Sequence, residues 1–367
     1  MINCIIMKKL LMVLFSFFCL ALCAQKTVSL DDISTQWQAR TLKLAGSDKA
    51  NIISMVQSFH KAWPTYSGGE LLKFAKSKKA YDNTDKVVDL ANGYAFYSED
   101  DPDSENDEQM QACLWKRSNG HSLVAISLHR FSNEIDVLCF YDYDPQTRVL
   151  TPEKSLGGLF TPSYPGYRYR VFLPQRGKEM EVREFFGALT IIHPYSWDGM
   201  KPVAQKPMIE NLDFYQATFS ERYFFADEHE LCSYALWDVD SDGFPELWLS
   251  SEDESYQAVF AVRLTKDLLG GQSDRRTLSF YRGAVCDAGN CGAGCMSSTY
   301  CLLSESCKKT WLTEMSEYDM QKDEYSDSQY KIDGEKVSAG EAERIIKSLG
   351  SEIVPTAKWH ELAMPEE

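Results

Sequence analysis

After residue 24 the chain has no run of apolar residues long enough to cross a bilayer, which excludes a helical membrane anchor from the rest of the sequence. It is poor in positive charge. Lys and Arg number 38 against 54 Asp and Glu, for a formal charge of −16. Such a surface repels nucleic acid and anionic lipid, so both are poor partners, and cations or neutral ligands are favoured. The catalytic signatures that a short motif can carry are also missing. There is no GxSxG elbow, phosphate loop, dinucleotide fingerprint or HExxH, and no CxxC that would mark a redox enzyme or zinc ribbon.

What is present begins with a leader. Lys8 and Lys9 precede an apolar stretch from Leu10 to Leu22, and "ALCAQK" follows with Ala24 at a cleavage edge. This is the pattern of a secretory signal peptide over 1–24, and Met7 is an alternative start. Acylation at Cys23 would instead make the protein a lipoprotein, although Leu22 stands where a small residue is expected. The expected localisation is export to the periplasm, cell surface or medium. Removing 1–24 takes away Lys8 and Lys9 and no acid, so the charge moves from −16 to −18.

Eight cysteines remain: Cys113, Cys139, Cys232, Cys286, Cys291, Cys295, Cys301 and Cys307. In an oxidising compartment an even count implies bridges. Cys113 and Cys139 fall on the first and third strands of one meander, about 9.6 Å apart, beyond the roughly 7 Å a disulfide spans. They are expected to be buried thiols, and the bridges to lie among the other six.

The fold class read from periodicity is mainly β (α+β). The first domain, 25–198, is an antiparallel β-meander of about eight strands under an N-terminal helical cap. Its first clear helix follows Ser47 as cap and places Ile52, Met55, Val56, Phe59 and Trp63 on one face until Pro64 stops it. A second helix is expected over 70–80. Alternating runs then turn at Asn92-Gly93, Asn119-Gly120, "DPQT" and "QRGK". The acidic run 98–109 reads as a solvated loop. Residues 199–213, with two prolines and few apolar residues, read as a linker. The second domain, 214–367, has strands near 233–238, 246–250, 256–262, 277–281, 300–303 and 310–316. A hairpin at Asp333-Gly334 and a helix capped by a Ser338/Glu341 box and ended by Gly350 close it.

The chemistry concentrates in "DVDSDGFPELWL", Asp238 to Leu249. Alternation turns Asp238, Asp240 and Asp242 to one side of a curling loop. Gly243 permits the bend, the Phe244 carbonyl faces back in, and Glu246 closes the set. Five oxygen donors in nine residues suit a hard cation, Ca²⁺. An EF-hand is excluded because its twelfth position is the apolar Leu249 and both flanks are strand-like. The stretch resembles the calcium hairpins of FG-GAP and integrin-type repeats, DxDxDGxxD, in Asp238, Asp240, Asp242 and Gly243, with Glu246 where that pattern has aspartate. It also resembles hairpins of exported bacterial proteins of unknown function. The resemblance implies a metal-stabilised β module and names no reaction; one copy is too few for an FG-GAP propeller.

The remaining signals have structural explanations. His60 lies on the apolar side of its helix, and "DEHE" around His229 reads as an exposed loop. Most Trp and Tyr residues lie in alternating strands and read as core. The function expected is therefore a non-enzymatic binding or envelope-associated protein with a structural calcium hairpin and an extracellular ligand, glycan or protein. The rival is a secreted hydrolase of glycan or peptide using carboxylates that sequence does not single out. Mass spectrometry of the exported protein should find a mature N-terminus at or near Gln25; an acylated Cys23 would establish the lipoprotein instead.

Overall fold

The structure is a computed structural model. It describes residues 27–44, 49–77, 85–99, 107–132, 135–164, 167–223, 230–292, 294–303 and 309–363. The leader with Met7 and Cys23, Ser47, most of the acidic run 98–109, His229 and Cys307 lie outside them. No helix among the described residues is long and apolar enough to cross a membrane. The chain divides into two compact units. The first takes Met1–Leu159, Val171–Met180 and Ser196–Val203; the second takes Phe160–Arg170, Glu181–Tyr195 and Ala204–Glu367.

In the first unit α1 (Leu30–Gln36), β1 (Leu42–Lys43), α2 (Ile52–Ala62) and α3 (Tyr66–Lys76) precede β2 (Lys86–Asp89), β3 (Tyr94–Ser98), β4 (Glu108–Lys116), β5 (Ser122–Arg130), β6 (Ile135–Asp144) and β7 (Val149–Pro152). The sheet order is β1-β7-β6-β5-β4-β3-β2, so β2 to β7 form an antiparallel meander. The N-terminal β1 pairs with β7 through Leu42↔Leu150. Helix α2 buries Ile52, Met55, Val56 and Phe59 completely, as its spacing requires. Its cap is Asn51 rather than Ser47: the Asn51 side chain accepts from Ser54 N and the Ser54 hydroxyl accepts from Asn51 N. Helix α3 starts at Tyr66, four residues earlier than expected over 70–80. Its cap, Thr65, accepts from Gly68 N, and the two glycines of its first turn hid the start.

Strand β5, in the middle of the sheet, is buried on both faces from Leu123 to His129, and Val171 and Leu173 approach its neighbour β4. The Gln111 amide donates to Val171 O at 3.0 Å and accepts from Leu173 N at 2.8 Å. Cys113 on β4 and Cys139 on β6 flank β5, in register with Ala125 and Ile126. Both are free and buried, as expected.

The chain then runs through β8 (Arg168–Phe172), β9 (Met180–Phe186), β10 (Leu189–Trp197), β11 (Pro202–Ala204), β12 (Met208–Ile209) and α4 (Leu212–Arg222). The stretch 199–213 is thus two short strands and a helix start, not a plain linker. Ile209 pairs with Ile191 and is buried in the second unit's core beside Phe186, Leu189 and Tyr215. The few apolar residues of that stretch are the ones that pack.

The second unit continues with β13 (Leu231–Trp237), β14 (Glu246–Ser251), β15 (Gln257–Phe260), β16 (Leu268–Gln272), β17 (Arg276–Tyr281), β18 (Ala284–Gly292), β19 (Cys295–Leu302), β20 (Thr310–Asp319), β21 (Glu324–Tyr325), β22 (Gln329–Ile332), β23 (Glu335–Val337), α5 (Ala339–Ser348) and β24 (His360–Glu361). One sheet runs β16-β15-β14-β13-β24 and another β17-β18-β19-β20-β22-β23. Strands β16 and β18 carry glycine in place of an apolar pattern, so periodicity missed them. Gly271 is there because a Cβ would sit 2.7 Å from the Tyr223 ring and 2.8 Å from the Phe219 ring. The Asp333-Gly334 turn has both residues at positive φ, and Gly350 ends α5 the same way. The expected capping box at α5 is not formed: Ser338 makes no side-chain cap, and its carbonyl takes the first bonds.

Cys291 and Cys295 are bridged across a Cα–Cα distance of 5.2 Å. The bridge lies within the set of six where bridges were expected, but Cys286 and Cys301, of the same set, are free and buried. Pleat alternation separates them. Cys286 opposes Tyr300 and packs toward α5, whereas Cys301 opposes Val285 and packs with Leu269 and Phe280 on the other face. Cys232 is free and half-buried. Burial pushes the thiols of Cys286 and Cys301 up to about 12, leaving almost no thiolate at neutral pH. Among the described cysteines, mild alkylation of the native protein should therefore label Cys232 first. Cys113, Cys139, Cys286 and Cys301 should react only on unfolding, as peptide mapping would show.

Candidate metal centre

The ladder of β13 and β14 is closed by Leu236↔Leu247 and Trp237↔Glu246, so residues 238–245 must turn the chain in a single acidic loop. Two residues take left-handed backbone, Ser241 at φ 62° and Gly243 at φ 88°. Carboxylates hold the turn in place. Asp238 accepts from Asp242 N through Oδ1 at 3.1 Å and from Gly243 N through Oδ2 at 3.0 Å. Asp240 accepts from Asp242 N at 3.1 Å, and Asp242 accepts from Phe244 N at 2.7 Å. Glu246 Oε2 reaches back to Val239 N at 2.8 Å. The Gly243 carbonyl accepts from the Tyr167 hydroxyl.

Within this loop the structure brings Asp238, Asp240 and Glu246 together, with one oxygen of each inside 4.8 Å of the others. Asp242 faces differently. Its Oδ2 is ion-paired to Arg263 Nη1 at 2.7 Å, and the guanidinium lies 4.6 Å from the centre of the Phe244 ring. The Phe244 ring also meets Tyr167 edge-on at 5.5 Å. Arg263 was not legible as part of the site, because it lies 21 residues from Asp242 and comes from the turn after β15. Leu249, the twelfth position, is fully buried on β14. A cavity of about 150 Å³ adjoins the loop, walled by Asp240, Phe244, Glu246, Val262, Arg263 and Lys309.

The electrostatics of the three converging groups are those of crowded acids. Glu246 is 9% exposed. Burial first, then the Asp240 and Asp238 charges, pushes its carboxyl up to about 8 against the hydrogen bond from Val239. Burial and the neighbouring Asp242 likewise raise Asp240. A cation at the convergence point would offset the mutual repulsion of these carboxylates. Three carboxylates, with backbone carbonyls and water completing the shell, match the oxygen-only set that hard divalent ions take.

A second carboxylate in this unit bears on hydrolytic chemistry. Glu184 is fully buried and accepts from Ser163 N at 2.6 Å, Ser163 Oγ at 2.5 Å and His193 Nε2 at 2.7 Å. The carboxylate stands between the serine and the imidazole. Ser163 Oγ therefore donates its hydrogen bond to the carboxylate and not to the imidazole, with the Tyr234 hydroxyl 3.2 Å away, and the buried Glu184 is satisfied by these donors. Asp287, 1% exposed, is held in the same manner by Arg222, Arg276 and the Tyr223 hydroxyl.

No protein-family model and no curated protein matches the chain.

The raised carboxyl of Glu246 sets a pH dependence for the chelator-treated protein. The fold holds a proton that the unfolded chain releases above about 4.5, so this stabilisation is complete below that pH and is lost as pH rises through about 8. Glu246→Gln keeps an acceptor for Val239 N and carries no charge. Urea unfolding in EDTA should show a flatter stability profile for this variant across that window than for the wild type.

Proposed function

We propose that the protein is an exported, non-enzymatic binding protein whose second unit is stabilised by Ca²⁺ on the β13–β14 hairpin. The observation that carries this reading is the convergence of Asp238, Asp240 and Glu246 within 4.8 Å at the end of one antiparallel ladder. The hairpin resemblance to FG-GAP and integrin-type loops supports the choice of ion, with Glu246 in the place of aspartate. Asp242 serves the site from outside it: paired to Arg263, it anchors the loop to the turn after β15. The Phe244 carbonyl remains a fourth donor in this reading. The Cys291–Cys295 bridge and the absence of a long apolar helix among the described residues fit an exported chain.

A structural role suits the flexible coordination of Ca²⁺ better than that of Mg²⁺, which demands a near-ideal octahedron. At about 100 times its Kd, Ca²⁺ should add about 2.7 kcal/mol by mass action, a rise of roughly 5–10 °C for a unit of this size. Mg²⁺ should add much less. Asp238→Ala and Asp240→Ala should each remove the rise. Calorimetry showing no calcium heat, or an equal shift in wild type and Asp240→Ala, would overturn the reading.

A further inference from the structure

The first unit carries a groove that the calcium reading does not use. It has a volume of about 770 Å³ and is formed by the start of α2, the β2–β3 turn, the facing ends of β4, β5 and β6, and the Gly177–Lys178 turn. That volume lies within the roughly 300–1,000 Å³ of cavities that enclose small ligands. Its accessible apolar lining is Leu90 and the half-buried Leu114, while Ile52, Met55 and Trp115 beneath are buried. Leu90 stands at the edge with 57% of its surface exposed.

The charge on the wall is opposite to that of the protein. In a chain with 54 acids and 38 bases, Lys49, Lys116 and Lys178 line the groove and no described lining residue is acidic. Lys49 and Lys116 are exposed. Lys178 is fixed, donating to Lys116 O at 3.1 Å with its ammonium 4.8 Å from the centre of the Trp197 ring. Three cations beside these two leucines make a local positive potential in an otherwise repulsive field for anions, and water solvates neither Leu90 nor Leu114 favourably.

We propose that this groove binds a small amphiphile with one anionic head, a long-chain carboxylate. Its head sits among Lys49, Lys116 and Lys178, and its chain covers Leu90 and Leu114. A fully polar anion would leave Leu90 and Leu114 wet. A neutral or cationic chain would leave the lysines without a counter-charge.

The test is titration of the purified protein with dodecanoate below its micelle concentration, by calorimetry and by Trp fluorescence, with dodecyltrimethylammonium as the chain of opposite head. Dodecanoate should bind saturably, more weakly at high salt, and the cation should not. The double variant Lys49→Glu/Lys116→Glu should lose about tenfold or more in affinity. Leu90→Asp should weaken binding separately. Lys336→Glu, in the second unit, should leave it unchanged. Both lysines of the double variant are exposed, so the fold should persist, and circular dichroism checks this. Equal binding of the two heads, affinity unchanged in the double variant, or binding of a Glu-rich peptide with none of dodecanoate would each overturn the proposal.

Discussion

The β13–β14 ladder is the constraint from which the second unit's chemistry follows. Its strands place Leu236 against Leu247 and Trp237 against Glu246, and their inner face, with Leu249, is buried. Register in a half-buried hairpin is strongly specified, because a slip of one residue would turn the core face outward. Fixing the register fixes the ends of the loop. Asp238 leaves one strand and Glu246 begins the other, and the seven residues between them must bend enough to bring Asp240 in. Removing the apolar rungs would therefore disperse the carboxylates even with every acidic residue intact.

Buried charge recurs in both units, and each instance is matched by donors. Glu184 has Ser163 and His193, Asp287 has two arginines and a tyrosine, and Glu108 has Arg130 and the Ser67 backbone and hydroxyl. An isolated ionised group in such places would cost several kcal/mol. The acidic loop differs from these. Asp242 has its arginine, while Asp238, Asp240 and Glu246 have backbone N–H donors and one another. That contrast separates carboxylates neutralised by basic side chains from a group of three that could hold a metal ion.

The disulfide pattern shows how sheet geometry constrains covalent chemistry. Five cysteines crowd into 22 residues, and proximity in sequence suggests several bridges. Alternation across the pleat sends Cys286 and Cys301 to opposite faces of adjacent strands, so only Cys291 and Cys295, at the turn between β18 and β19, meet among the described residues. Strand spacing, not alternation, separates Cys113 from Cys139: β5 lies between them, and that strand order could be read from the hairpin turns.

The sequence alone determined the mainly antiparallel β class, the meander of β2 to β7, the apolar face of α2, the turns at Asn119-Gly120 and Asp333-Gly334, and the acidic loop between two strands that carries Asp238, Asp240, Asp242 and Glu246. These are local: a period, a turn residue or a spacing states them completely. Tertiary structure decided the rest. It made strands of the glycine-bearing segments β16 and β18, which form because neighbouring strands and the rings of Phe219 and Tyr223 require a bare backbone. It took Ile209 into the second unit's core from a stretch that reads as a linker. It turned Asp242 away to Arg263, and it gathered Lys49, Lys116 and Lys178 from three distant segments onto one groove. Each depends on which segments meet across long sequence separations, and neither periodicity nor spacing along one chain encodes that meeting.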